Sequence, residues 1–411
     1  MKTHQKHIAL AAVLLVLAGM GAWWWARKPS EVLESHSEKA PQIEVPKRGQ
    51  SLRKEDLIAW FYSSLGTDGR EQQAFDNCGK ATKRLVNARG RQISGQSDAR
   101  SKLAYALTAA SIEEQPANDT RQSGAADRQQ YDAMQAKISQ QVEQAWLQAP
   151  DDPQARWLAM MRCASQDTCK RVDAALTQAE PDNMAVWLQV MGHAQERGDQ
   201  AAMADAFEYA AASGEYDGHV GSTALLVIDA YKGLPTPESC LDPRVERFAK
   251  AIGFPGLALK PADVVANMAL SAELQRVSPF PALQEYCAHS KIPLEVSRRS
   301  ACGRIYALMA DNDMSVMGQS LAIGQSIQLT EGEAEQAKWR ERYRQHRWLT
   351  EHYSSMRMML DPLDATLDEM GAVRTRLQAE GKWPPPANWL PDDEHARSLI
   401  QTGRPPAPKN G

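Results

Sequence analysis

The sequence predicts an all-α protein: one transmembrane helix, followed by a domain of helical hairpins held by disulfides. Three observations carry this expectation. Alanine far outnumbers valine plus isoleucine, and leucine, glutamine and methionine are common. Helix formers therefore dominate, and the β-branched residues that favour strands are sparse. An uninterrupted apolar run fills residues 8–26, and the cysteines number six, an even count.

The nineteen residues from Ile8 to Ala26 make roughly 28 Å of helix, close to the ~30 Å hydrocarbon core of a bilayer. Trp23, Trp24 and Trp25 stand where an interfacial aromatic belt belongs, and Arg27 and Lys28 follow them. A cleaved signal has a shorter apolar core and a small-x-small site. The best such site here is the weak Gly19-Met20-Gly21, and no cysteine near the end of the run offers a lipid attachment point. The reading is an uncleaved single-pass anchor. Lys2 and Lys6 nearly balance Arg27 and Lys28, so orientation rests on the cysteines. Disulfides persist in oxidising compartments. This places residues 1–7 in the cytoplasm, the anchor in a bacterial inner membrane and the bulk of the chain in the periplasm. Seven cytoplasmic residues are too few to fold or to carry a signalling domain.

Residues 27–50 contain Pro29, Pro41 and Pro46 among charged residues. They read as a flexible tether spanning on the order of 25 Å. An N-terminal helical region covers 51–149. It opens with a helix that Ser51 caps and that carries Leu57, Ile58, Trp60, Phe61 and Leu65. Further helices are expected over 71–90, 98–112 and 128–148, with a polar loop between the last two. A repeat region covers 150–218. A C-terminal helical region, 219–380, holds expected helices at 222–232, 243–252, 262–275 and 281–289, and a pair between Ser297 and Leu329. A long helix at 331–359 and a last one at 363–380 complete it. Residues 381–411 form a Pro-rich tail whose Trp383-Pro384-Pro385-Pro386 segment either docks as polyproline II or packs on the domain. Its last eight residues read as a frayed end.

In the repeat region, A-P-D-D-P-Q-A-R-W-L-A-M-M is followed by A-E-P-D-N-M-A-V-W-L-Q-V-M, with Pro150 aligned to Pro181 and Trp157 to Trp187. Gly198-Asp199 then marks a helix–helix turn, and Phe207 and Ala210 lie on the second helix. This pattern resembles the tetratricopeptide repeat. Met191, Ala194, Met203 and Glu215 depart from that family's usual Gly, Tyr, Ala and Pro. The first copy is also a few residues short, with Cys163 and Cys169 at its inter-helix turn. The resemblance covers residues 150–215 only. It implies stacked helical hairpins and a concave surface lined by the first helix of each pair. On that basis Arg162, Leu188, Gln189, Gln195 and Glu196 are the expected binding residues.

Cys163 and Cys169 lie on either side of an expected inter-helix turn, where a bridge would staple the shortened repeat. Cys287 and Cys302 flank a second expected hairpin, which leaves Cys78 with Cys240. A metal site finds no support, because neither C-x-x-C nor a Cys/His quartet of zinc spacing occurs, and the missing C-x-x-C leaves a thioredoxin-like redox role unsupported as well.

Other chemistry is sparse. Net charge is −4, with acids and bases interspersed, so there is no basic footprint for nucleic acid. No H-E-x-x-H occurs, and His346 and His352 are too far apart to share a helical face as a ligand pair. Ser51-Leu52-Arg53-Lys54 matches S-x-x-K without its partner boxes. Cys78-Gly79-Lys80-Ala81 lacks the rest of a phosphate loop. Asp311-Asn312-Asp313 begins like a calcium loop, but Val316 and Ala322 occupy its obligatory Gly and Glu positions. Arg340, Arg342, Arg344 and Arg347 alternate with Trp339, Tyr343 and Trp348; Glu333, Glu335, Glu341 and Glu351 offset them. This predicts a solvated helix with intrahelical ion pairs.

The expectation is a membrane-anchored periplasmic module or scaffold that binds another envelope protein or peptide, with no cofactor. Two alternatives share the address. One is an envelope enzyme acting on cell wall, which requires carboxylates or a Ser/His pair converging in a deep pocket. The other is an immunity-type inhibitor of a toxic effector.

Overall fold

The computed structural model describes residues 69–112, 125–251, 260–274, 280–288, 295–313, 315–356 and 368–406. The expected anchor, tether, first helix and all but the last three residues of the polar loop lie outside the described residues, and no described helix is long and apolar enough to cross a membrane. The described chain is all-helical, with sixteen α-helices, one short 3-10 turn and no strand. In order the helices are α1 Gly69–Ser94, α2 Ala99–Ile112, α3 Ala125–Gln148, α4 Pro153–Met161, α5 Gln166–Ala179, α6 Met184–Arg197, α7 Gln200–Ala212 and α8 Ser222–Tyr231. There follow α9 Pro243–Ala251, α10 Pro261–Leu274, α11 Phe280–Tyr286, α12 Val296–Asn312, α13 Val316–Leu329, α14 Glu333–Met356, α15 Glu369–Ala379 and α16 Glu394–Thr402.

Local chemistry sets the ends. Asp152 accepts from the amides of Gln154 and Ala155 to start α4, with Pro153 in the first turn, where its missing N–H costs nothing. Asn183 caps α6 and Asp199 caps α7. Between these two helices Gly198 sits at φ +73°, a left-handed conformation that glycine adopts without a Cβ penalty. That turn folds α7 back along α6. The amide of Met184 donates to Glu215 O at 2.8 Å and that of Glu215 to Asp182 O at 3.2 Å, tying the loop after α7 to the start of α6.

Two hydrophobic cores meet at α6. The first is built from α1 to α5, α8 and α10, with Trp157, Leu103, Val142, Leu176 and Tyr231 buried in it. The second is built from α6, α7 and α11 to α14 with α16, around Phe207, Leu283, Ile305, Tyr306 and Ile327. Ala185 and Val186 face the first core while Met184, Leu188 and Met191 face the second, so α6 is a wall enclosed on both sides. A smaller cluster of Leu349, Met370, Val373 and Leu377 packs α15 on α14 beneath Trp383.

All six cysteines are paired: Cys78–Cys240, Cys163–Cys169 and Cys287–Cys302. The first joins α1 to the 3-10 turn before α9, the second joins the end of α4 to α5, and the third joins α11 to α12.

In the C-terminal part, one of the two readings of the Trp383 segment is realised, and one helix forms that the sequence reading did not expect. The Trp383 segment packs on the domain. Trp348 Nε1 donates to Lys382 O at 3.1 Å, Arg344 donates to Pro386 O at 2.6 Å, and Trp348 meets Trp389 edge-on at 4.9 Å. Within the stretch read as a tail, α16 forms with Asp393 as its cap and Gly403 as its left-handed end, burying Ala396 and Leu399.

Candidate functional site

One face of α12 is left open. Its opposite face carries Ala301, Cys302, Ile305, Tyr306, Met309 and Ala310, all buried. These leave Val296, Arg299, Ser300, Gly303, Arg304 and Ala307, at spacings of three and four, as one stripe along the helix. Two grooves follow that stripe. One, of about 440 Å³, runs between α12 and the ends of α13 and α14, with Leu329, Glu331 and Trp339 on its far wall. The other, of about 320 Å³, lies between α12 and α7, with Ala210, Ala211 and Gly214 opposite. Arg304 and Ala307 line both grooves, so they adjoin.

The middle of the stripe is small. A Cβ added at Gly303 would meet nothing within 4 Å, and Ser300 and Ala307 flank it. Val296 at one end is 87% exposed. The arginines are oriented: Arg299 pairs with Glu331 at 2.6 Å, and Arg304 donates to Ala211 O at 3.3 Å and Ser300 Oγ at 3.2 Å. The result is an apolar floor with small side chains and cationic edges, a shape suited to an extended segment or a helix. The α6–α7 hairpin carries a second exposed aromatic feature. Trp187 and Tyr209 stack with ring centroids 4.3 Å apart, and Tyr209 is 57% exposed.

The five residues expected to bind fall in different environments. Leu188 and Gln189 are buried, because α6 is covered by a core on each side. Arg162 is half-buried and donates to Gln135 at 2.9 Å. Gln195 donates to Glu285 on α11 at 2.6 Å, and Glu196 is exposed. The α12 stripe was not anticipated. Its signal in the sequence is the run of small residues Ser300, Gly303 and Ala307 at helical spacing opposite an apolar face.

The arginine-rich helix α14 is held largely by contacts to other elements. Arg342 reaches Asp311 at 2.5 Å and the Ala310 carbonyl, Arg340 reaches Gln401 O, and Arg344 reaches Pro386 O. The intrahelical pairs among the described residues are Lys338–Glu335, Arg340–Glu333 and Arg344–Glu341. The Arg344 hydrogen bond holds the Glu341 carboxyl below the usual range. Arg340, Arg342 and Arg344 thus tie α14 to α16, α12 and the tail.

A polar recess of about 760 Å³ lies beside α14, lined by Asp311, Arg342, His346, Asp368 and Trp383 among others. His346 at its wall forms a Ser/His pair with Ser320, at 2.6 Å. Burial, then the Arg347 charge, pull this imidazole down to about 4. Such a ring is a poor proton acceptor at neutral pH, so the pair reads as a satisfied buried histidine. The ligand atoms of Cys163, Cys169 and His193 lie within 4.8 Å of one another. The two sulfurs are joined in a disulfide, so neither is the thiolate that binds a metal.

These features define an all-α, disulfide-stapled protein of helical hairpins with an open helix-lined groove. No protein family, curated protein or solved structure matches the chain.

Proposed function

We propose that this chain is a membrane-anchored periplasmic helical-repeat protein that captures an extended segment or helix of another envelope protein along α12. The observation that carries the reading is the stripe of small residues on that helix, open to two adjoining grooves. A partner backbone or helix can approach closely there, since Ser300, Gly303 and Ala307 project little, while Arg299 and Arg304 supply polar anchoring at the edges. The anchor at residues 8–26, the periplasmic address and the tetratricopeptide-like character of 150–215 belong to the same reading. They rest on the apolar run, the paired cysteines and the α4–α7 hairpins.

The test is capture of the partner from cells by the full-length chain and by Gly303→Leu. The leucine fills the groove floor. An added Cβ meets nothing within 4 Å there, and leucine is the better helix former by up to about 1 kcal/mol. The expected result is at least a tenfold fall in capture with an undiminished melting temperature. Undiminished capture would place the partner elsewhere. The charge reversal Arg162→Glu with Glu196→Arg tests the face implied by the repeat resemblance. Capture lost in that double variant and kept in Gly303→Leu would move the site to the first helices of the hairpins. If the partner proves to be a toxic envelope effector, the same groove serves an immunity-type inhibitor.

A further inference from the structure

The three disulfides differ in their surroundings. Cys78, Cys287 and Cys302 are buried to 1% or less, and Cys240 is buried beside Cys78. Cys163 is only half-buried and stands two residues before Ser165, the cap of α5.

A histidine faces it. Cys163 Sγ is 3.7 Å from His193 Nε2, and His193 Nδ1 is 2.7 Å from Asp173 Oδ1. Both side chains are about nine-tenths buried, at 11% and 10% exposed. Arg197 brings a cation to within 3.8 Å of the other Asp173 oxygen. Its Nε and Nη1 are buried without a hydrogen-bond acceptor among the described residues. With Nδ1–H given to Asp173, Nε2 presents a lone pair to a sulfur that has no proton to give while the disulfide is closed. The arrangement is complete only when Cys163 is a thiol. Then S–H meets Nε2, the proton moves to the imidazole, and a thiolate–imidazolium pair forms with Asp173 behind it.

We propose that Cys163 and Cys169 form a thiol–disulfide exchange centre, with Cys163 as nucleophile, His193 as its base, Asp173 as positioning residue and a polypeptide disulfide as substrate. In the reduced form the Cys163 thiolate attacks one sulfur of the substrate disulfide. A mixed disulfide forms, and the departing substrate thiolate takes the proton held on His193. Cys169 then loses its proton to the neutral imidazole and attacks Cys163 Sγ. This closes the 163–169 disulfide and expels the second substrate thiolate, which receives that proton. The substrate gains two electrons and two protons, and the two protein thiols lose them. A protein dithiol reverses the same exchange to regenerate the centre. Cys78–Cys240 and Cys287–Cys302, enclosed in apolar packing, remain structural throughout.

The experiment equilibrates the full-length chain in buffers of increasing reduced to oxidised glutathione ratio, traps thiols with iodoacetamide and locates them by mass spectrometry. Cys163–Cys169 is expected to open while the other two bridges stay closed. In that selectively reduced form, Cys163 is expected to alkylate at neutral pH at least about tenfold faster than Cys169. His193→Gln is expected to lower the Cys163 rate about tenfold with helix content and the other two bridges unchanged. Asp173→Asn, which keeps the imidazole, should lower the rate by less and serves if the first variant fails to fold. Opening of 163–169 no earlier than the other bridges, or a Cys163 rate equal to that of Cys169 and indifferent to both variants, overturns the proposal. Partner capture along α12 is a separate readout, so failure of one reading leaves the other standing.

Discussion

Burying His346 has a cost in acid that the rest of the chain must bear. Its ring is 3% exposed, and burial, followed by the charges of Arg347, Arg342 and Arg374, brings it down to about 4. An unfolded histidine takes up its proton near pH 6.5. The folded state holds the neutral form, so its contribution is complete above about pH 6.5 and is lost as pH falls toward 4, on the order of 3 kcal/mol in all. Urea unfolding between pH 4.5 and 7.5 is expected to show stability falling with a slope near one proton below pH 6.5. In His346→Gln that slope should flatten, and an unchanged slope would show that another group titrates. At this scale the sequence was partly legible. Two cysteine pairs followed from spacing along expected hairpins and Cys78–Cys240 only as the remaining pair, and the structure forms all three. Leu188 was not legible as core, since the repeat resemblance puts it on a free face and nothing local shows that α6 is enclosed on both sides.

The helices themselves were the most legible elements, because caps and apolar periodicity are local. Expected helices at 222–232 and 243–252 form as Ser222–Tyr231 and Pro243–Ala251. Helix α16 was hidden by the prolines before it, although Asp393, Ala396, Leu399 and Gly403 mark its cap, buried face and end. The bridges between elements should differ in weight. Cys78–Cys240 closes a loop of 162 positions, against 15 for Cys287–Cys302 and 6 for Cys163–Cys169. On chain entropy these are worth about 5, 3 and 2 kcal/mol. Paired Cys→Ser variants, compared by thermal and urea unfolding, should rank in that order. A larger loss from Cys163/Cys169 than from Cys78/Cys240 would contradict the entropic ranking. It would also weigh against an exchange role for the short bridge, because an exchange centre has to open without unfolding its host.

Over the whole molecule, two cores share the wall α6, and the α12 groove arises where α7, α12, α13 and α14 come together. Helices α12 to α14 are consecutive, but α7 comes from a distant part of the sequence. No local pattern reports such a juxtaposition, which is why the proposed binding face was legible only as a class of surface and not as residues. Small side chains along an uncovered helix face leave room for a close approach, and α12 provides such a face. The measurement that bears most directly on this account is photo-crosslinking in living cells from the full-length chain. A photoreactive amino acid is placed at Val296 at the groove mouth and, as a control, at Leu241, which is also exposed. The account predicts one envelope protein crosslinked from position 296, abolished by Gly303→Leu and absent from position 241. Equal crosslinking from both positions, or a product from 296 that survives Gly303→Leu, would contradict a partner seated along α12.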